Sequence, residues 1–476
     1  FNLLNFIAKL TGNKNCFIFT VKNRSDMHHS NHRIGFKSKF GAIAALAGSA
    51  VGLGNIWKFP YEAGNNGGGA FLLVYIFFTV AIGLPVMLSE FALGRYSGRN
   101  AFGTFDRLEP KTAWRYFGVL VLLAATMILS FYGTIAGWTL EYVFKSFTFS
   151  FHANTNVNLN SMFSDFITNP YKPVFWQIVF MALTGFIVLA GVKKGIERYT
   201  KLMMPLLFVL IVILGIRACT LDGAMEGIKF LFLPKFSELT SQGVLSALGQ
   251  AFFSLSIGMG VLLTYASYIK KDENLTSISL QVICADTLIA VLAGIAIFPA
   301  VFAFNIAPDS GPGLVFLTLP QVFQSMAFGQ LWAILFFLLL TMAALTSSIS
   351  LLEVIVAFFV EEKHISRRKA TVISTVIVTI FGILCTLSFG PLKEVHIGNL
   401  SIFGIFDYVS SNILLPVGGI LISIYVGWRF DRRLLEAELT NNGELKLWLL
   451  KPLIFVLKYV APLFILVILL HSLGLF

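Results

Sequence analysis

Runs of apolar residues long enough to cross a bilayer follow one another almost without a break from residue 40 to residue 475. A membrane-spanning helix needs about 20 such residues. Stretches of that kind lie at 40–63, 69–95, 114–145, 174–191, 196–217, 242–270, 274–305, 329–362, 366–386, 399–430 and 451–475. Hydrocarbon gives an open backbone group no partner, so each span has to be a helix or a strand of a closed barrel. Barrel strands alternate over about ten residues, and these runs do not. The expectation is an all-α integral membrane protein with eleven transmembrane helices. Only 12% of the residues are charged, about half the share of a soluble domain, which excludes a string of soluble domains. Cys16, Cys219, Cys284 and Cys385 lie far apart and read as small core residues, neither a disulfide framework nor a metal site.

The net charge of +11 would suit nucleic acid if it were concentrated on one face. Instead it follows the loops. With the N-terminus cytoplasmic, 27 of the 35 basic residues fall on that side, Lys37, Arg99, Lys193, Lys271, Arg368 and Arg432 among them. Such a bias sets membrane orientation, placing the N-terminus inside and, after eleven spans, the C-terminus outside. Nucleic-acid binding is therefore not expected. Residues 1–39 form a cytoplasmic N-terminal segment, and Met27 offers an alternative start that would leave 1–26 out of the mature protein. The segment 146–173, with Asn154, Asn156, Asn158 and Asn160, and the segment 306–328, with Pro308, Gly311, Pro312 and Gly313, read as external loops.

Two spans are spoiled near their middles. The first reads GAIAALAGSAVGLGNIWKFPY, with Gly48, Gly52, Gly54 and Asn55, and the sixth reads GQAFFSLSIGMGVLLTYASYIKKD, with Ser254, Ser256, Gly258 and Gly260. Glycine costs about 1 kcal/mol against alanine inside a helix, and unpaired backbone in lipid costs several. Gly48-x-x-x-Gly52 alone fits close helix packing equally well. Breaks in spans one and six together suggest five spans repeated with inverted orientation, the arrangement of secondary transporters with a midplane site. The repeats would be 40–217 and 242–430, with 451–475 as an additional eleventh helix.

A third polar patch, Thr346, Ser347, Ser348 and Ser350, lies in span eight. Such hydroxyls commonly bond back along their own helix. Alternatively they supply hard oxygen ligands, which with few carboxylates nearby suit a monovalent cation. Ionisable residues inside spans are few: Glu90, Asp286 and Glu353 stand out, and Lys58 with Asp407 could close an ion pair at the outer end. Glu353 and Lys458 read as structural partners.

GSAVGLGNIWKFPY followed by NNGGGAFLLVY resembles the first-helix signature of the neurotransmitter:sodium symporters, and the chain is most similar to their bacterial amino-acid-transporting members. GRYSGRNAFG, SFYGTIAGWTL, KGIERYTKLMMP, GQAFFSLSIGMG, TYASYIKKD and ALTSSISLLE fall in the family's order. The resemblance runs from Arg33 to the last span. It implies two sodium sites: one from Ala50, Asn55, Ser254 and Asp286, the other from the carbonyls of Gly48, Val51 and Ala343 with the hydroxyls of Thr346 and Ser347. An aspartate at 286 would supply negative charge where chloride-dependent relatives bind chloride, so chloride is not expected.

Gly52 stands where monoamine carriers of the family have an aspartate, which implies a substrate that brings its own carboxylate. Leu53, Gly54 and Tyr132 would hold that carboxylate, and Ala50, Phe253, Ser254 and Ser256 the amine. Ile128, Phe253, Met259, Ser347 and Leu351 would line an apolar side-chain pocket. The implied activity is sodium-coupled import of a hydrophobic or aromatic L-amino acid across the cell membrane by alternating access. Tyr132 and Phe253 would cap the substrate, with Lys58 and Asp407 closing above. Arg33 and Glu361 would pair on the cytoplasmic side, supported by Tyr268, and Glu90 would bond the unwound sixth helix. Proton coupling and an amino-acid sensor without transport are the alternative readings. No span carries a metal triad or nucleophile–base pair, so an enzyme is not expected. A homodimer is left open.

Overall fold

In the computed structural model, which describes residues 35–148, 159–304, 314–445 and 450–474, the first apolar run folds as two helices. The first, α1 (Lys39–Ala50), starts at Ser38, whose hydroxyl accepts the Gly41 N–H, and ends at Val51, where the backbone turns extended. After a 44° bend, α2 (Gly54–Asn65) resumes the path. The chain continues through α3 (Gly69–Ser97), the short α4 (Ala101–Leu108), α5 (Arg115–Phe147), α6 (Leu159–Thr168), α7 (Lys172–Leu189), α8 (Val192–Cys219) and α9 (Ala224–Phe232). Next come α10 (Ser241–Ser254), α11 (Val261–Ala266), α12 (Leu275–Ala303), α13 (Leu319–Ser325), α14 (Gly329–Glu362) and α15 (Arg367–Leu387). A two-residue antiparallel pair, β1 (His396–Ile397) and β2 (Leu400–Ser401), precedes α16 (Ile402–Arg429), α17 (Arg432–Leu439) and α18 (Leu450–Ser472).

Among the described residues nine helices are long and apolar enough to cross a membrane, ten when α1 and α2 count as one broken span. The sequence reading of eleven differs at 242–270. There the run splits into α10, of 14 residues, and α11, of six, each too short to span alone. The cause is local: Ser256 (φ 56°), Gly258 (φ 77°) and Gly260 (φ 72°) adopt left-handed backbone, which no α-helix accommodates. A Cβ at Gly258 would also lie 2.9 Å from the Leu415 carbonyl oxygen. The helices α10 and α11 pack against successive stretches of α3, while α1 lies among α8, α12 and α14, and the two longest helices, α5 and α14, run together. This arrangement brings both chain breaks to the same interior.

Large apolar side chains such as Phe77, Phe186 and Leu202 stay exposed on the spans, as expected of surfaces that face lipid. Cys385 is buried, but Cys219 and Cys284 lie exposed on their helices, so the core reading fails for those two; all three are free. Cys16, Met27, Arg33, Asn154, Asn156, Asn158, Pro308, Gly311, Pro312 and Gly313 lie outside the described residues.

Candidate functional site

The break in the first span is packed so closely that only glycine fits at position 52. A Cβ there would collide with Ser347 Oγ and lie 3.0 Å from the Tyr132 hydroxyl. The Tyr132 hydroxyl in turn accepts the Leu53 N–H at 3.1 Å. Three elements thus meet at one point: the interruption between α1 and α2, the middle of α5 and the hydroxyl patch of α14. Across from it Phe253 packs on Gly54, where a Cβ would stand 3.2 Å from the ring. The Ser256 hydroxyl donates to the Ser49 carbonyl at 2.9 Å, tying the second break to the first. Ile128, Met259, Ser347 and Leu351 are buried alongside.

Two clusters of oxygen flank this point. On one side Thr346 Oγ1 lies 3.3 Å from the Val51 carbonyl and 2.9 Å from that of Ala343, and Ser347 Oγ lies 3.5 Å from the Gly48 carbonyl. Three of the four hydroxyls of the α14 patch also bond back along their own helix: Thr346 to Ala343, Ser348 to Ala344 and Ser350 to Ser347. On the other side the buried Asp286 carboxylate accepts from Asn55 Nδ2 at 2.8 Å, Ser254 Oγ at 2.6 Å and the Tyr75 hydroxyl at 2.7 Å. Asn55 Oδ1 accepts the Gly52 N–H at 3.2 Å, and Ala50, the last residue of α1, is buried. Apart from Ala50, each residue named for the two sets lies within hydrogen-bonding range of another of its set.

Two members escaped the sequence reading. Tyr75 joins Asp286, and Gln250 donates to the Gly54 carbonyl at 2.7 Å. Each is a hydrogen-bonding side chain inside an apolar run, which was the available signal. Glu90 accepts the Gly258 N–H at 2.8 Å, so a carboxylate on α3 holds the opened backbone between α10 and α11.

The outer end of the site departs from the expected closure. Lys58 makes no ion pair with Asp407; its ammonium lies 4.6 Å above the Phe253 ring, and Asp407 accepts from Ser411 Oγ at 3.0 Å. A lysine on a flexible stem is not directed to a carboxylate as a planar guanidinium is, and an aromatic face is within its reach. At the opposite end Tyr268 donates to Glu353 at 2.7 Å. Glu353 is held by both terminal nitrogens of Arg367 at 2.6 and 3.1 Å, and Arg367 also donates to the Val188 carbonyl at 2.8 Å. Glu361 accepts from the Asn100 backbone and side chain, each at 2.9 Å, while its expected partner Arg33 is outside the described residues. Phe36 closes the same end by stacking edge-on against Tyr265 and Tyr268, both at 5.9 Å.

Residues 33–172 and 167–476 match the sodium:neurotransmitter symporter family. The chain is 41% identical over 437 residues to YhdH of Bacillus subtilis (strain 168), an uncharacterized sodium-dependent transporter, covering 92% of this chain and 97% of that one. It is 29% identical over 440 residues to a sodium-dependent serotonin transporter of Drosophila melanogaster, covering 82% and 69%. Among solved structures, that of MhsT in complex with L-phenylalanine superimposes with a TM-score of 0.86 at 46% identity, over 92% of this chain and all of that one.

Proposed function

Since this chain belongs to the sodium:neurotransmitter symporter family, we propose that it imports a hydrophobic or aromatic L-amino acid together with sodium, by alternating access. The observation that carries the reading is the contact around Gly52, where backbone N–H groups, the Tyr132 hydroxyl and Ser347 converge with no room for a side chain. A substrate carboxylate is the group that fits such donors at a helix N-terminus. The breaks in spans one and six then supply carbonyls from Ala50, Phe253 and Ser254 for the amine. Ile128, Met259 and Leu351 form the apolar wall, and the similarity to a structure holding L-phenylalanine supports an aromatic ligand.

We assign one sodium ion to each of the flanking oxygen clusters. An ion bound to oxygens at about 2.4 Å, within the range of hard cations, sets neighbouring oxygens about 3.4 Å apart. The spacings of Thr346 from Val51 and of Ser347 from Gly48 match that. Asn55, Ser254, Ala50 and Asp286 form the first set. The Asp286 carboxylate supplies the charge that makes chloride unnecessary. The path counts eleven spans when α10 and α11 are read as one broken helix, giving repeats at 40–217 and 242–430 and an eleventh helix at 451–475. The basic loops orient the N-terminus to the cytoplasm and the C-terminus outside, leaving Lys58 at the external end. Inward sodium movement, worth about 2.3 kcal/mol per charge per 100 mV, drives uptake.

Radiolabelled phenylalanine uptake into proteoliposomes, with unlabelled amino acids as competitors, tests this directly. Uptake should require sodium, ignore chloride and be blocked best by large apolar amino acids. Ser347→Ala should raise the half-saturating sodium concentration about ten-fold by deleting one ion ligand. Uptake in sodium-free buffer that tracks pH would replace sodium with protons, and binding without counterflow would make the protein a sensor.

A further inference from the structure

Away from the site, the meeting point of α16 and α18 carries a cluster that transport does not use. Each helix makes one π-helical turn there, Tyr425–Arg429 and Val456–Val460, and the two turns pack together. The fit is close: a Cβ at Gly427 would lie 3.0 Å from Lys458 Cγ. Single π-turns inside α-helices are frequent at functional positions. The Lys458 carbonyl accepts the Trp428 indole N–H at 3.2 Å, and the Lys458 ammonium stands 4.5 Å above the Trp428 ring. Tyr459 meets Trp428 edge-on at 5.5 Å, and Phe455 lies 5.5 Å from Tyr459. All three rings are more than half exposed.

Among the described residues no carboxylate pairs with Lys458. The neighbouring Arg429, by contrast, is held by both oxygens of Glu109 at 2.9 and 3.1 Å. Depth follows from the indole bond. Trp428 stands next to Arg429 at the end of α16, with Arg432 and Arg433 just beyond, so Lys458 is level with that basic boundary although it lies within α18. Aromatic rings flanking a lysine at this level are placed where lipid headgroups lie. Phe455, Tyr459, Leu463 and Leu466 continue as one exposed stripe along α18 into the apolar layer.

We propose that this cluster binds an anionic phospholipid, with the Lys458 ammonium and the Trp428–Tyr459 rings holding its phosphate and an acyl chain lying along the stripe. An ammonium resting on a ring face keeps N–H donors to offer a phosphate oxygen, and among the described residues no protein acceptor competes for them.

Native mass spectrometry of the full-length protein with added phosphatidylglycerol or phosphatidylcholine tests the assignment. Lys458→Gln should retain about five-fold less phosphatidylglycerol, the effect of one basic residue at a charged headgroup, with phosphatidylcholine unchanged. Trp428→Ala should fall part of the way. Lys451→Gln, which removes an exposed lysine two turns earlier on α18, should match the wild type. Equal retention by Lys458→Gln overturns the proposal, as does an equal loss in Lys451→Gln, which would mean diffuse attraction. Loss of a dimer with lipid retention intact would assign the surface to a second copy of the chain and overturn it too. If Lys458→Gln does not fold to a monodisperse species, Lys458→Arg keeps the charge and must retain phosphatidylglycerol at the wild-type level; loss there refutes the site.

Discussion

Glu353 is gripped by Arg367 at 2.6 Å and by Tyr268 at 2.7 Å, whereas at the opposite end of the same site Lys58 rests 4.6 Å above the ring of Phe253 and Asp407 bonds a serine. Nearby, on the Glu353 side of α3, Arg95 is almost wholly buried. It bonds Glu438 Oε2 at 2.7 Å, the Glu273 carbonyl at 2.5 Å and Asn441 at 3.1 Å, and it also reaches the Glu438 carbonyl. These bonds join α17 to the segment that follows α11. Charge-assisted bonds of this kind are roughly twice as strong as neutral ones, and breaking a buried pair leaves a stranded charge at a cost of about 3–5 kcal/mol. A cation over a ring contributes about 0.5–2 kcal/mol. The two ends therefore differ in what opening them costs: the Lys58 end can part by small movements, the Glu353 end only by relocating several charges together.

Four substitutions test that difference, in descending order of effect. Glu353→Ala should strand the Arg367 guanidinium, reduce uptake by about 100-fold or more, and sharply accelerate thiol labelling of a Ser267→Cys reporter on the same end. Arg95→Ala should leave Glu438 with Lys271 alone, strip the Glu273 carbonyl and Asn441 of their buried donor, and lower the apparent melting temperature by about 5 °C or more in a thermal-shift assay. Phe253→Ala removes both the seat of Lys58 and the expected cap over the substrate, and should raise KM about ten-fold with a smaller change in kcat. Lys58→Gln should cost only about two- to five-fold in kcat/KM. A Lys58→Gln defect as large as that of Glu353→Ala would erase the asymmetry, and a Lys58→Glu variant as active as wild type would show that the ring contact contributes nothing.

Much of the interior was legible in the linear chain because polar and small residues are conspicuous in an apolar background. Gly52, Asn55, Ser254, Ser256 and the Thr346–Ser347 pair announce themselves against leucine and phenylalanine, and all of them gather at the two breaks. Partner choice was less legible. Tyr75 lies 211 positions before Asp286, and no local pattern links the two. Tyr268 meets Glu353 across 85 positions of sequence, where α11 packs against α3 and α14. The break at 255–260 was visible as glycines and serines, but not the left-handed backbone that divides the run into two helices too short to span alone.

By itself the sequence determined the solvent and the class of fold, since apolar runs of this length have to become helices wherever no water can satisfy the backbone. It also determined where helices would fail, because glycine and hydrogen-bonding residues in lipid need a compensating partner. Only the tertiary structure decided which charges meet. Lys58 settled on an aromatic face and Glu353 on an arginine, because ion pairing depends on distances of a few ångströms between helices, and the packing of those helices sets such distances.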